Sequence, residues 1–240
     1  MKKTNIYEDR DSLGMAAANL FVRLSAEAIA RKGKCIVALS GGSTPDAMYL
    51  YLSSKEYTSV IEWEKIYFFW SDERYVDFND EENNSLRAIN NFLSLIRMDA
   101  SRVFRVNVEL PVEEAAVEYE QTLRQIAGNE MEVDICFLGM GDDGHIASIF
   151  PDSPLLGEDE KGVRSVYVET LNRYRISFTL PLINAAQNIV LLVSGSDKSA
   201  AYDAIQDEEA TIEQFPVIGL NSPAGHSLYW MITSDVQEEA

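Results

Sequence analysis

Short apolar segments recur along this 240-residue chain and alternate with stretches of helical periodicity. Residues 35–39, 65–70, 134–138 and 189–193 are typical of strands buried on both faces of a sheet. Residues 11–32 and 111–127 carry apolar side chains at helical spacing. This alternation predicts an α/β fold, a three-layer sandwich with a mostly parallel, doubly wound, Rossmann-like sheet.

The remaining elements complete that prediction. Helices are expected at residues 45–52, 83–95 and 197–205, and strands at 165–168, 175–180, 217–219 and 229–232. A single helix is expected before Cys35. We expect residues 1–234 to form one domain and the acidic residues 235–240 to form a disordered tail.

The charge of the chain bears on its partners and its location. A formal net charge of -19 repels nucleic acid and anionic membrane surfaces, so neither is an expected partner. The N-terminus lacks the apolar core of a secretion signal, and no uninterrupted apolar run approaches the roughly 18 residues of a membrane span. We therefore expect a cytoplasmic protein. Cys35 and Cys136 lie in predicted strands, as small buried hydrophobes do.

The most informative segment is residues 134–151, where a predicted buried strand enters a glycine-rich loop with two aspartates and one of only two histidines. Ligands of open α/β sheets bind at the carboxyl ends of the strands. A histidine side chain has an unperturbed pKa of about 6.5, which suits proton transfer near neutral pH. His145 is therefore a candidate general base.

Three other interpretations of this loop remain open. The glycines at 139, 141 and 144 match the dinucleotide-binding fingerprint, although no clear second strand with a ribose-binding acid follows. Asp142, Asp143 and His145 could ligate a metal ion, although the chain has no other His or Cys cluster to complete the site. His145 could also be a hydrogen-bonded structural residue.

A second motif, Ser-Gly-Gly-Ser-Thr-Pro at residues 40–45, lies between a predicted strand and a predicted helix. Its glycines let backbone N–H groups approach a ligand, Ser43 and Thr44 offer hydroxyls, and the helix N-terminus favours an anion. The same residues would also make a plain strand-to-helix turn with Thr44 as N-cap. No Walker lysine follows, so binding of a nucleoside triphosphate is not expected.

Two cationic side chains follow other predicted strands. Arg74 could bind a phosphate or stabilise an oxyanion, or it could pair with a neighbouring acid. Lys198 opens a predicted helix, where a solvated lysine would be ordinary. Because parallel strands share one carboxyl edge, these two cations, the 40–45 loop and the Asp143–His145 pair are expected to meet in one crevice. A sugar phosphate is the natural ligand.

Six segments resemble, in chain order, the motifs of the 6-phosphogluconolactonase family. They are residues 40–45, 71–74, 83–85, 139–151, 175–179 and 195–198, so the match spans nearly the whole chain. Glucosamine-6-phosphate deaminases and the sugar-sensing domains of some bacterial regulators share the fold of that family. The resemblance implies hydrolysis of 6-phospho-D-glucono-1,5-lactone to 6-phospho-D-gluconate, the second step of the oxidative pentose phosphate pathway.

Two positions favour the lactonases over the deaminases. The deaminases have a glutamate five residues after the histidine, where this chain has Phe150, and they tend to have a tyrosine where this chain has Arg74. A sugar-phosphate sensor would need an output domain, and the predicted helix before Cys35 leaves no room for a helix-turn-helix.

The resemblance also implies roles for single residues. His145 would be the general base, Asp143 would orient it, and Arg74 would stabilise the oxyanion. The substrate phosphate would bind Gly41, Gly42, Ser43, Thr44, Arg175 and Lys198, with Arg173 as the alternative to Arg175. No metal or organic cofactor is implied. We expect a monomer or a small homo-oligomer.

Overall fold

The computed structural model describes residues 2–237. In chain order the strands are β1 (Lys2–Tyr7), β2 (Cys35–Leu39), β3 (Ile66–Trp70), β4 (Asp72–Arg74), β5 (Ile135–Gly139), β6 (Val163–Val168), β7 (Arg173–Phe178), β8 (Asn188–Val193) and β9 (Ser227–Thr233). The α-helices are α1 (Arg10–Lys32), α2 (Thr44–Leu52), α3 (Lys55–Thr58), α4 (Asn84–Ala88), α5 (Val112–Ala127), α6 (Leu180–Asn184) and α7 (Ser199–Ala204).

The strands form two sheets of different kinds. Six strands in the order β1-β9-β8-β5-β2-β3 make a fully parallel sheet, and β4-β7-β6 make a small antiparallel sheet. The predicted α/β class and mostly parallel main sheet are confirmed. The antiparallel sheet is an addition, because strand β4 is short and charged and gives no apolar pattern to recognise.

The main sheet is covered on both faces, which accounts for its apolar strands. Alternate residues of β2 enter different cores: Val37 and Leu39 pack with α1 and α2, whereas Ile36 and Ala38 pack with α5 and the antiparallel sheet. All four side chains are fully buried. The architecture is therefore three layers, with the smaller sheet sharing the layer of α5.

Helix α1 is held by its caps and its buried face. Asp9 accepts a hydrogen bond from the Ser12 amide at 2.8 Å, and Gly33 ends the helix with a left-handed φ of 78°. By length and composition alone this helix could cross a membrane. Its apolar residues, such as Phe21 and Leu24, are instead buried on the sheet, so α1 is a core helix.

Four local predictions need correction. A strand, β1, precedes α1. The sequence did not predict it, because β1 is an edge strand whose residues are mostly polar and exposed. Residues 217–219 lie in a 3-10 turn (Pro216–Gly219) and not a strand, since proline cannot donate to a strand ladder.

The predicted helix at 83–95 is α4 followed by a π-helical turn (Ile89–Leu93). Asp235 and Val236 form a 3-10 turn with Val236 fully buried, so the predicted tail does not begin at 235; residues 238–240 lie outside the described residues.

Candidate active site

A cleft of about 440 Å³ opens at the carboxyl edge of the parallel sheet. The loops after β2, β3, β5 and β8 all contribute to its wall, as expected for strands that share one edge. The cleft contains every residue that the sequence assigned to catalysis or phosphate binding, namely Gly41, Gly42, Ser43, Thr44, Arg74, Asp143, His145, Arg175 and Lys198.

The loop after β2 has the geometry of an anion-binding turn. Gly42 has a left-handed φ of 87°, which allows the chain to turn sharply into α2. Ser43, and not Thr44, is the N-cap, and its side chain makes no capping hydrogen bond. Thr44 begins the helix and shares a 3.1 Å hydrogen bond with Ser194. The Ser43 hydroxyl and the first amides of α2 can therefore serve a ligand.

His145 and Asp143 form a close pair in the loop after β5. The Asp143 Oδ1 atom lies 2.6 Å from His145 Nδ1 and also accepts the His145 amide at 3.0 Å. Partial burial acts to raise the pKa of Asp143, but the bond from the His145 ring, its charge and the backbone N–H outweigh burial and lower it. An ionised Asp143 favours the tautomer with hydrogen on Nδ1, which leaves Nε2 free to accept a proton.

The imidazole is fixed from two further sides. Its ring stacks on Phe150 with centroids 4.1 Å apart. On another side it lies against the backbone of Gly141, where an added Cβ would be 2.0 Å from Nδ1. Only glycine fits at that position without displacing the histidine.

The arginines of the antiparallel sheet have different roles. Arg74 on β4 lies directly opposite Arg175 on β7, and both line the cleft. Arg74 Nη1 donates to the Glu82 carbonyl at 2.7 Å. Arg175 is nine-tenths buried, and burial, together with Arg74 and Arg173, lowers its pKa against the opposing effect of Asp72.

Each of these two guanidinium groups has a buried Nε with no hydrogen-bond partner among the described residues. Unpaired buried donors are costly, which suits a site that receives an anion. Arg173 pairs with the Glu82 carboxylate and does not line the cleft. Of the two arginines that the sequence left open, Arg175 therefore lies in the site.

Lys198 reaches the same cleft from the loop after β8. Its Nζ lies 2.7 Å from the Asp197 carboxylate, and its side chain is one-fifth exposed. The Asp197 carboxylate is mostly exposed, so solvent weakens this ion pair and the ammonium group can exchange Asp197 for a substrate phosphate.

Asp72 and Asn84 line the cleft but were missed as site residues, although both lie in motifs that the sequence singled out. Asp72 is buried and accepts a hydrogen bond from the Ser148 hydroxyl at 2.7 Å. Asn84 is buried, and its Nδ2 donates to the Asp72 carbonyl at 3.0 Å. Neither residue belongs to a pattern that marks a site residue. The signal that could have found them is their place in motifs that also supply other residues of the cleft.

The glycine loop after β5 is not a dinucleotide-binding turn. The fingerprint requires a helix directly after the third glycine. Here Gly144 is followed by a tight turn in which Ile146 bridges to Ile149. Across residues 2–237, no group of three or more His, Cys, Asp and Glu side chains is placed to hold a metal ion.

The family model for glucosamine-6-phosphate isomerases and 6-phosphogluconolactonases matches residues 8–230. The chain therefore belongs to this family, which has both isomerases and lactonases among its members.

Several similar proteins are named as 6-phosphogluconolactonases. A protein from Oryza sativa subsp. indica, "Probable 6-phosphogluconolactonase 3, chloroplastic", is 35% identical over 226 residues, which cover 88% of this chain and 68% of the relative. A 6-phosphogluconolactonase from a Synechocystis strain is 35% identical over 224 residues, which cover 88% of this chain and 87% of the relative. A solved structure described as devB protein superposes with a TM-score of 0.87 at 27% identity, over 98% of both chains.

Proposed function

We propose that the protein hydrolyses 6-phospho-D-glucono-1,5-lactone to 6-phospho-D-gluconate, the second step of the oxidative pentose phosphate pathway. The observation that carries this proposal is the His145–Asp143 pair, 2.6 Å apart, in a cleft that also holds an anion loop and two arginines with unpaired Nε atoms. The names of the relatives agree with it.

The phosphate binds at one end of the cleft. Its oxygens accept hydrogen bonds from the amides and hydroxyls of the loop Gly41–Thr44 and pair with Lys198 and Arg175. These contacts are the same in the ground state and the transition state, so they contribute to affinity and to the placement of the lactone carbonyl.

The chemistry takes place at His145. Neutral Nε2 accepts a proton from a water molecule as that water attacks the lactone carbonyl. Asp143 stabilises the imidazolium that forms, as in other carboxylate–histidine pairs. The carbonyl oxygen becomes negative in the tetrahedral intermediate, and Arg74 offsets that charge. The protonated histidine then returns its proton to the ring oxygen as the C–O bond breaks, which opens the lactone to the acid.

A deaminase-type isomerase is the second candidate, and Phe150 disfavours it. Ring opening and proton movement between neighbouring carbons call for a carboxylate that supports the histidine. The corresponding position here is Phe150, whose ring stacks on the imidazole and cannot transfer a proton.

The remaining parts of the proposal rest on the sequence. The chain acts as one sugar-phosphate lactonase domain in the cytoplasm, as a monomer or small homo-oligomer, and this domain includes the turn at Ser234–Val236. Neither nucleic acid nor membrane is a partner, given the net charge of -19. The reaction uses no metal or organic cofactor, because a lactone ester is already a reactive electrophile.

The decisive experiment compares three substrates. Freshly made 6-phosphogluconolactone, corrected for spontaneous hydrolysis, should be turned over. The unphosphorylated lactone should be a far poorer substrate, because the cationic side chains of the cleft then have no phosphate to pair with. Glucosamine-6-phosphate should release no ammonia. Comparable ammonia release would contradict the lactonase assignment, and equal turnover of both lactones would contradict phosphate anchoring.

A further inference from the structure

Glu73 is a buried carboxylic acid directly behind the cleft wall. It lies on β4 between Asp72 and Arg74, is 1% exposed, and does not itself line the cleft. Its carboxylate accepts three backbone N–H groups. Oε1 accepts from Arg74 at 2.8 Å and from Asn84 at 2.7 Å, and Oε2 accepts from Ser85 at 2.8 Å.

These three bonds join two separate parts of the site. The Arg74 amide belongs to β4, whereas the Asn84 and Ser85 amides belong to the first turn of α4. The intervening loop, residues 75–83, is thereby closed at its base by one side chain. We call this three-bond contact the Glu73 clamp.

Asn84 carries the effect of the clamp into the cleft. Its Nδ2 donates to the Asp72 carbonyl, while its Oδ1 is buried with no hydrogen-bond partner among the described residues. On its other side it touches the anion loop so closely that a Cβ on Gly41 would lie 1.9 Å from Oδ1. A shift of Asn84 therefore moves either the anion loop or β4.

Opposing influences act on the pKa of Glu73. Burial is the largest influence and raises its pKa to about 7, Asp72 acts in the same direction, and the three backbone N–H groups oppose them. Arg175 on β7 and Tyr119 on α5 also interact electrostatically with Glu73. A protonated carboxyl keeps its carbonyl oxygen as an acceptor, but its O–H oxygen accepts an amide N–H less well, so protonation weakens the clamp.

We infer that Glu73 is a positioning residue for the proposed lactone hydrolysis: its ionised carboxylate clamps the first turn of α4 onto β4 and so holds Arg74 and Asn84 in the cleft wall. The inference rests on the proposed function. A residue that served stability alone would not couple its own ionisation to turnover, and that coupling is what the tests measure.

The first test needs no variant. In ¹⁵N-labelled protein, the amide resonances of Arg74, Asn84 and Ser85 should shift together with one midpoint near neutral pH, as Glu73 ionises. Over the same range, kcat/KM should fall toward acid pH with the same midpoint, because protonation of Glu73 weakens the clamp that holds Arg74 and Asn84 in the cleft wall. Amides that titrate independently of one another, or a kcat/KM profile without that midpoint, would overturn the inference.

The second test is Glu73→Gln. Glutamine keeps one oxygen for Arg74 and Asn84 but turns an NH₂ group toward the Ser85 amide, which leaves buried donors unpaired. We expect kcat/KM to fall roughly ten- to a hundredfold at pH values above the Glu73 titration, and the pH dependence with the Glu73 midpoint to disappear. Glu81→Gln is the matched control, since it removes a carboxylate from the exposed part of the same loop, and it should leave both unchanged.

The outcomes separate the two proposals. If the wild-type protein does not hydrolyse the lactone, the proposed function fails, and the role of Glu73 in it fails too, whatever the amides show. If the wild-type protein is active and the Gln variant matches it in kcat/KM and in the pH dependence of kcat/KM, the function stands and only the positioning role is overturned.

Discussion

Glu73→Gln should also change how stability depends on pH, and the structure gives the size of the effect. The pKa of Glu73 is about 7 in the folded protein against an ordinary value of 4.5. That difference corresponds to about 3 kcal/mol, at about 1.4 kcal/mol for each pH unit.

The direction of the change in stability depends on whether the folded or the unfolded protein loses the Glu73 proton first. Below pH 4.5 both states are protonated, and Glu73 has no effect of this kind. As pH rises from 4.5 to about 7, the unfolded chain ionises first, so the wild-type protein loses free energy of unfolding. Above about 7 both states are ionised, and the loss is complete. The Gln variant has no such group and no such loss.

Urea unfolding followed by tryptophan fluorescence, at several pH values across this window, measures the effect directly. The free energy of the Gln variant relative to wild type should rise with pH by about 3 kcal/mol, and Glu81→Gln should track wild type. Other titrating groups, such as Asp143, affect all three proteins alike and cancel in the difference. Parallel curves for the Gln variant and wild type would refute the reasoning. A carboxylate kept at a cost to stability is expected of a functional residue.

Three further substitutions test the site itself. His145→Asn should lower kcat by roughly 10²- to 10⁴-fold with little change in affinity for 6-phosphogluconate, whereas His226→Asn, at the opposite edge of the sheet, should keep full activity; an unchanged kcat in the first would remove that histidine from the mechanism. Lys198→Ala should mainly raise KM, and a loss confined to kcat would instead place the lysine at the reacting carbon. Gly141→Ala puts a methyl group 2.0 Å from Nδ1 of the catalytic histidine and should lower kcat nearly as far, while Gly157→Ala, which meets nothing within 4 Å, should be close to neutral.

The main sheet could be predicted from the sequence because its strands are buried on both faces. Runs such as Cys35–Leu39 have no polar face, and a short run of that kind is typical of a central strand in a parallel sheet. Strand β1 has the opposite character: it is mostly polar and exposed, and β9 is its one strand partner, so no periodicity marks it. Strand β4 consists of three charged residues, and only the antiparallel pairing with β7 makes it a strand.

The site was predictable to the same extent. Side chains at the carboxyl ends of parallel strands must lie together, and so the loop at 40–45, His145 and Lys198 were placed correctly in one cleft. The choice between Arg173 and Arg175 depends on the register of the antiparallel sheet, which the sequence did not reveal. The role of Glu73 depends on three amides that come from two elements, and no local pattern records such a contact.

The turn at Ser234–Val236 has a practical consequence for the far end of the cleft. Asp235 accepts hydrogen bonds from the Thr233 hydroxyl and, at 3.4 Å, from the Gly195 amide, in the loop that carries Lys198. Val236 is buried beneath it. A recombinant fragment that stopped at Thr233 would therefore lose the contacts that support the loop carrying Lys198. It should bind phosphate more weakly, while His145 and its surroundings stay unchanged. Purification tags and protease sites belong beyond residue 237, where they leave this support in place.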